Sequence, residues 1–283
     1  MNDIVFRRIS IAIVWFWLAI FALAPTLMVV ITSILESPSS YVVSLSFTLD
    51  NYRELFDLSY AIILIRSVLI AAGCTLLCLL ISYPFAYGIA QASSRYKPIL
   101  LLFVIIPFWT SSLIRAYAIM TILKTHGFFN DLLLAIGIIK EPMQLLYSNT
   151  ALFIGLTYTL LPFMMLPLYA NMEKLDHSLI EAARDLGATK LTVLRKILIP
   201  LTMPGIATGV MMVFLPSMTL FYIPVLLGGA KSMLLGNLIQ NQFLSAGDWP
   251  LGAATSMILI ILMMILGKWY WAQNNETSRV EML

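Results

Sequence analysis

The residue pattern with most chemical content is Glu181-Ala182-Ala183, three further residues, Gly187, nine residues, then Ile197-Leu198-Ile199-Pro200. The chemistry such a pattern offers is that of a docking surface built from two short helices and a glycine turn. Leu179, Ala182, Ala183 and Leu186 recur at the spacing that puts them on one face of a short helix, with Glu181, Arg184 and Asp185 elsewhere around it. Gly187 can adopt the left-handed backbone that ends such a helix. Thr189 can then cap a second one, running through Leu191, Leu194 and Ile197 to Pro200. The two alanines keep the apolar face shallow, which suits close docking of a partner.

A second set of residues suits cations. Phe108 and Trp109 follow Pro107, and Phe221 and Tyr222 precede Pro224, so both aromatic pairs sit where a proline weakens a helix. A cation over a desolvated aromatic face gains about 2 kcal/mol, enough to guide a charge without trapping it. The alternative is ordinary aromatic packing between helices. Asp248 with Trp249 reads either as an outer cation site or as a turn and interfacial anchor. Arg115 lies in an apolar stretch, where a charge is costly unless paired or facing water, and its expected role is to bond backbone carbonyls. No cofactor or metal site is expected: His126 and His177 lack ligand-spaced partners, and Cys74 and Cys78 fall in an apolar run as small packing residues. Gly228-Gly229-Ala230-Lys231-Ser232 lacks the Gly-Lys step and spacing of a phosphate-binding loop.

These residues must be positioned by elements immersed in lipid. The 283-residue chain is 60% hydrophobic and 11% charged, with a mean hydropathy of +0.92, whereas a soluble domain is roughly half apolar and a quarter charged. A soluble enzyme is excluded, and a net charge of +3 leaves no nucleic-acid footprint. Six apolar stretches of spanning length are expected at about 11–34, 61–90, 99–122, 150–171, 204–227 and 250–271, with the patterned polar loop at about 172–203. All of residues 1–283 are expected to form a single membrane domain. Arg7-Arg8 precede the first span, and although Ala22-Leu23-Ala24 resembles a cleavage site, Pro25 follows and the apolar run continues, so an uncleaved anchor is expected. With both termini inside, eleven Lys and Arg fall on inner segments against five on outer ones, which favours that orientation.

The pattern from Glu181 to Pro200 resembles the EAA loop of the permeases of binding-protein-dependent ABC importers, departing only at Ile199, where leucine is usual. Further segments, Phe47–Tyr52, Pro107–Arg115, Glu181–Ala188, Pro200–Gly205, Leu227–Lys231 and Asp248–Pro250, are similar to the first permease subunit of spermidine/putrescine importers. The resemblance implies an all-α membrane protein with the six-helix type I permease fold and a cytoplasmic coupling helix, located in a bacterial inner membrane. It implies a non-catalytic subunit whose partners are a second homologous permease, two ATPase subunits and a periplasmic polyamine-binding protein. Glu181, Ala182, Ala183, Leu186, Gly187 and Pro200 would then couple to the ATPase, and Phe108, Trp109, Phe221, Tyr222 and Asp248 would line the polyamine path. Relatives often carry an acid where this chain has Val225. The alternatives are a permease of the same class for thiamine, iron or another solute, or an ion-gradient-driven transporter, although no expected span interior holds Asp or Glu.

Overall fold

The structure is a computed structural model that describes residues 2–36, 46–176, 178–229 and 232–280, with the side chains of 2–5 and 269–280 excepted. Helices dominate the described residues, as lipid requires: in hydrocarbon every backbone N–H and C=O must find its partner within the chain. Helix α1 runs from Asn2 through a π-helical turn at Ala19–Leu23 to Ser33, with the short α2 (Asp50–Glu54) after it. Helix α3 is Leu58–Gln91. Helix α4 is Lys97–Ile105, tightening into a 3-10 turn at Ile106–Trp109, and is followed by α5 (Ser112–Leu123) and α6 (Phe128–Ala135). Helix α7 is Asn149–Met172, α8 is Ser178–Asp185, and α9 covers Lys190–Thr219 through a π-helical segment at Leu194–Leu198. After another π turn at Pro224–Gly228 come α10 (Leu235–Asn241) and α11 (Trp249–Val280).

Five of these helices are long and apolar enough to cross a membrane, and the bent pair 97–109 and 112–135 makes a sixth segment. The expected span at 99–122 is thus not one straight helix. It turns by 93° at Thr110 and Ser111, whose backbones are extended. Pro107 contributes no N–H, the Thr110 hydroxyl turns back onto the Pro107 carbonyl at 2.8 Å, and a run of three hydroxyl residues competes with helical bonding. The expected second loop helix likewise does not stop at Pro200. It runs on into the fifth span, because the wider π turn ahead of Pro200 absorbs the ring and the missing donor.

The chain divides into two units. In the first, residues 1–62 and 238–264, the Asn51 amide donates to the carbonyls of Ser33 (3.1 Å) and Leu35 (2.7 Å), and Ser33 shares a hydrogen bond with Tyr52. Leu55, Leu251 and Ala254 form its small core with Tyr52, Tyr60 and Ile258.

In the second unit, residues 63–237 and 265–283, α7 is the central helix. Leu152, Leu156, Leu160, Met164 and Leu168 are buried along it. Helix α9 packs on α7 through Gly205 and Gly209, one turn apart, which lets the backbones approach. A β-carbon on Gly209 would lie 2.6 Å from the Met164 sulfur, and one on Gly205 would lie 3.0 Å from the Pro167 carbonyl oxygen. Cys74 and Cys78 are buried free thiols beside Thr157, in the packing role expected of them.

Candidate functional site

The loop between α7 and α9 is built by local signals. Its start is held by the Lys97 ammonium 3.5 Å from the Glu173 carboxylate. The Tyr169 hydroxyl is the main influence keeping that carboxyl below its ordinary range, and Lys97 adds to it. Helix α8 opens with the Asp176 carboxylate accepting from the Ser178 N–H at 2.9 Å. At its far end Gly187 has φ +81°, the Gly187 N–H donates to the Arg184 carbonyl (2.9 Å), and the Ala188 N–H reaches back to the Ala183 carbonyl (3.0 Å). That bond pair is the Schellman closure, and it fixes the direction in which the chain leaves the helix. Thr189 then caps α9, its hydroxyl oxygen accepting from the Thr192 N–H at 3.3 Å.

The face of α8 that sequence spacing treats as one stripe is split in two. Ile180 is buried with Val193 and Leu198, and Ala183 and Ala188 pack against them, so this side anchors α8 to its own chain. Leu179, Ala182 and Leu186 point outward, Leu186 being 89% exposed, and Glu181 is exposed beside them. Ile180 was not singled out by the spacing, since only tertiary contact with Tyr87 and Val193 identifies the inward side. A groove of about 380 Å³ runs along α8 between Lys97, Glu181 and Arg184, and an apolar cleft of about 250 Å³ lies between Tyr87, Arg184 and Lys190. Pro200 lies on α9 just beyond the π segment.

The two aromatic pairs each sit at a break. Phe108 meets Phe163 edge-on with centroids 5.0 Å apart, while Trp109 is 78% exposed. Phe221 and Tyr222 are edge-on to each other at 6.0 Å, where α9 gives way to the π turn. The Asn237 amide holds that break by donating to the Phe221 carbonyl at 2.7 Å, a role with no sequence signal. Among the described residues no ring contact joins one pair to the other. Asp248 belongs to the first unit, where its carboxylate accepts from the Leu251 N–H at 3.1 Å and caps α11, in line with the turn reading.

Arg115 departs from expectation. It is buried, yet its Nε and Nη1 have no hydrogen-bond partner among the described residues, so it does not bond carbonyls through them. Its guanidinium carbon instead lies 5.8 Å from the Phe108 ring centroid. The Ser232 hydroxyl donates to the Gly228 carbonyl at 2.7 Å. Lys231 and His177 lie outside the described residues.

Helix α8 thus has one side anchored to its own chain and the other turned outward. Residues 82–270 match the family described as binding-protein-dependent transport system inner membrane component. The chain belongs to this family. The spermidine/putrescine transport system permease protein PotB of Escherichia coli (strain K12) is 48% identical to this inner membrane component over 255 residues, 90% of this chain and 93% of that protein. The protein of the same description from Salmonella typhimurium (strain SL1344) is 46% identical over 270 residues, 95% of this chain and 94% of the relative. That from Haemophilus influenzae is 43% identical over 274 residues, 97% and 96%. A chain of a bacterial alginate ABC transporter, crystallised with an alginate pentasaccharide-bound periplasmic protein, superposes with a TM-score of 0.74 at 16% identity, covering 95% of this chain and 93% of that one. The inner membrane component therefore has the all-α fold of an ABC importer permease.

Proposed function

We propose that this permease carries spermidine or putrescine across the bacterial inner membrane as one subunit of an ATP-driven importer. The observation that carries the reading is similarity of 43–48% over nearly the whole chain to permeases described as spermidine/putrescine transporters. The expected assembly adds a second homologous permease, two ATPase subunits and a periplasmic polyamine-binding protein, with both ends of this chain on the cytoplasmic side.

In this mechanism α8 takes up the movement of the ATPase. Glu181, Ala182, Leu186 and the exposed Leu179 meet the ATPase, while Gly187 fixes the angle at which the movement is handed on. Helix α9 continues from that turn without a stop over Lys190–Thr219, about 45 Å at 1.5 Å per residue. Displacement of α8 is delivered along this rod to Phe221 and Tyr222 at its far end. Phe108 and Trp109 at the other break offer a second aromatic surface to the passing ammonium groups.

The test is uptake by vesicles containing the reconstituted complex, with radiolabelled spermidine, putrescine and thiamine compared. ATP-dependent accumulation of a polyamine is expected, lowered by Trp109→Ala or Tyr222→Ala without loss of assembly. Accumulation of thiamine instead would refute the substrate, and normal polyamine uptake by both variants would make these rings packing residues.

A further inference from the structure

The apolar cleft beside α8 runs between two membrane spans and carries its charge at one end. Its walls are Tyr83, Pro84 and Tyr87 of α3 and Leu194 and Leu198 of α9. At 1.5 Å per residue, Tyr83 lies about 12 Å from the Gln91 end of α3, and Leu198 about 12 Å from the Lys190 start of α9. The two walls therefore descend to the same depth. At the bottom the Tyr83 hydroxyl meets the Thr202 hydroxyl at 3.1 Å, which joins the walls and satisfies that phenol. At the top stand Arg184 of α8 and Lys190. Both are exposed, and neither makes an ion pair or a side-chain hydrogen bond among the described residues.

Depth, volume and charge together select what fills the cleft. A protein helix about 10 Å across would occupy roughly 900 Å³ over that depth, against about 250 Å³ available. A soluble subunit pressing on α8 from outside the membrane does not reach so far down between two spans. An acyl chain is thin and apolar, and it brings a phosphate at its upper end. Arginine and lysine both bind phosphate, and basic pockets between membrane helices hold anionic headgroups. The stretch 184–196 adds Arg195 and Lys196 and contains the single acid Asp185, so the field there favours a net negative headgroup. Pro84 is itself exposed, with Phe85 (61% exposed) beside it, so the α3 wall borders the surface that lipid wets.

We propose that an anionic phospholipid, of which phosphatidylglycerol is the type, seats one acyl chain in this cleft and its phosphate between Arg184 and Lys190. Those two residues stand on either side of the Gly187 turn, so the bound headgroup braces the angle between α8 and α9. The brace rests on the coupling role proposed above for α8, whereas occupation of the cleft does not.

The experiment uses the full complex in nanodiscs, with phosphatidylglycerol bearing a photoreactive acyl chain as the probe and mass spectrometry to map the label. Label is expected on residues 83–87 and 194–198. It should fall several-fold in the Arg184→Gln, Lys190→Gln double variant, and when the probe carries a phosphatidylcholine headgroup instead. Leu194→Trp, which fills the cleft and leaves both cations, should lower it as well; if that chain is not recovered, the double variant, changed only at exposed positions, decides. Undiminished label in the double variant would overturn the proposal, as would label equally strong from phosphatidylcholine. Inorganic phosphate that displaces the probe as well as unlabelled phosphatidylglycerol does would assign a free anion, and label confined to complexes lacking the ATPase would assign the cleft to that subunit; either result overturns it. For the brace, substrate-stimulated ATPase activity should rise several-fold when phosphatidylglycerol replaces half of the phosphatidylcholine, in wild type but not in the double variant. No rise, or the same rise in both, would refute the brace. Mapped label together with full stimulated activity in Gly187→Val would instead refute the coupling reading and leave the lipid site standing.

Discussion

At Gly187 the backbone is left-handed, and a β-carbon there would meet nothing within 4 Å. Any penalty for substitution is therefore conformational and not steric. A non-glycine residue gives up about 1–2 kcal/mol in this region, more if β-branched, whereas asparagine enters it comparatively easily. Gly187→Val should keep the chain in the membrane and lower substrate-stimulated ATPase activity of the reconstituted complex several-fold. Gly187→Asn should retain most of it. Equal activity in Val and Asn variants would show that the turn angle does not matter to coupling. The neighbouring side chains explain why the turn is worth protecting: Ala183 and Ala188, joined by the Schellman bond, pack with Ile180, so bending the turn also moves the exposed Leu186.

The α7–α9 pair shows the same dependence on absent side chains at the level of elements. A β-carbon on Gly209 would press within 2.6 Å of the Met164 sulfur and 3.2 Å of its carbonyl, while one on Gly88 of α3 would meet nothing within 4 Å. Gly209→Leu should cost about 1–3 kcal/mol through overpacking. Gly88→Ala should be neutral or stabilising by about 0.4–1 kcal/mol. Thermal unfolding of the detergent-solubilised complex checks both, and a Gly209→Leu midpoint equal to wild type would mean that α9 is not seated on α7 this closely. Much of this level was legible in the sequence, because apolar length marks a span whatever its neighbours do, and Gly187 and Thr189 act through bonds within a few residues. The 93° bend was not, since Pro107 alone predicts a weakened helix and the turn needs the Thr110 hydroxyl and the Ser111 backbone as well. Pro200 misled for the opposite reason: a π turn that sequence does not announce carries α9 through it. The inward role of Ile180 was hidden because helical spacing ranks faces by composition, and Tyr87 and Val193 chose the face.

Across the whole molecule the exposed surface says more than the buried one. In α1, Trp15, Phe16, Trp17 and Phe21 are each more than half exposed, and no part of its apolar window is buried, as suits a helix solvated by lipid on all sides. The outward stripe of α8 is different, because it combines Leu179 and Leu186 with Glu181 on a helix whose other side is anchored, and lipid hydrocarbon gives no partner to a carboxylate. A polar and apolar surface on so short a helix, linked through a rigid turn to α9, is suited to receive work done elsewhere. If the work comes from a separate ATPase, vesicles holding this chain and the second permease should bind ATP no better than empty vesicles and should accumulate no polyamine when ATP is supplied. Adding the ATPase subunits and binding protein should start accumulation. Leu186→Asp should then reduce it by an order of magnitude, through the loss of an apolar anchor roughly worth 1.5–3 kcal/mol when fully buried. ATP-driven accumulation by the permeases alone would remove the need for a docking helix, and would place the energy source within the membrane subunits.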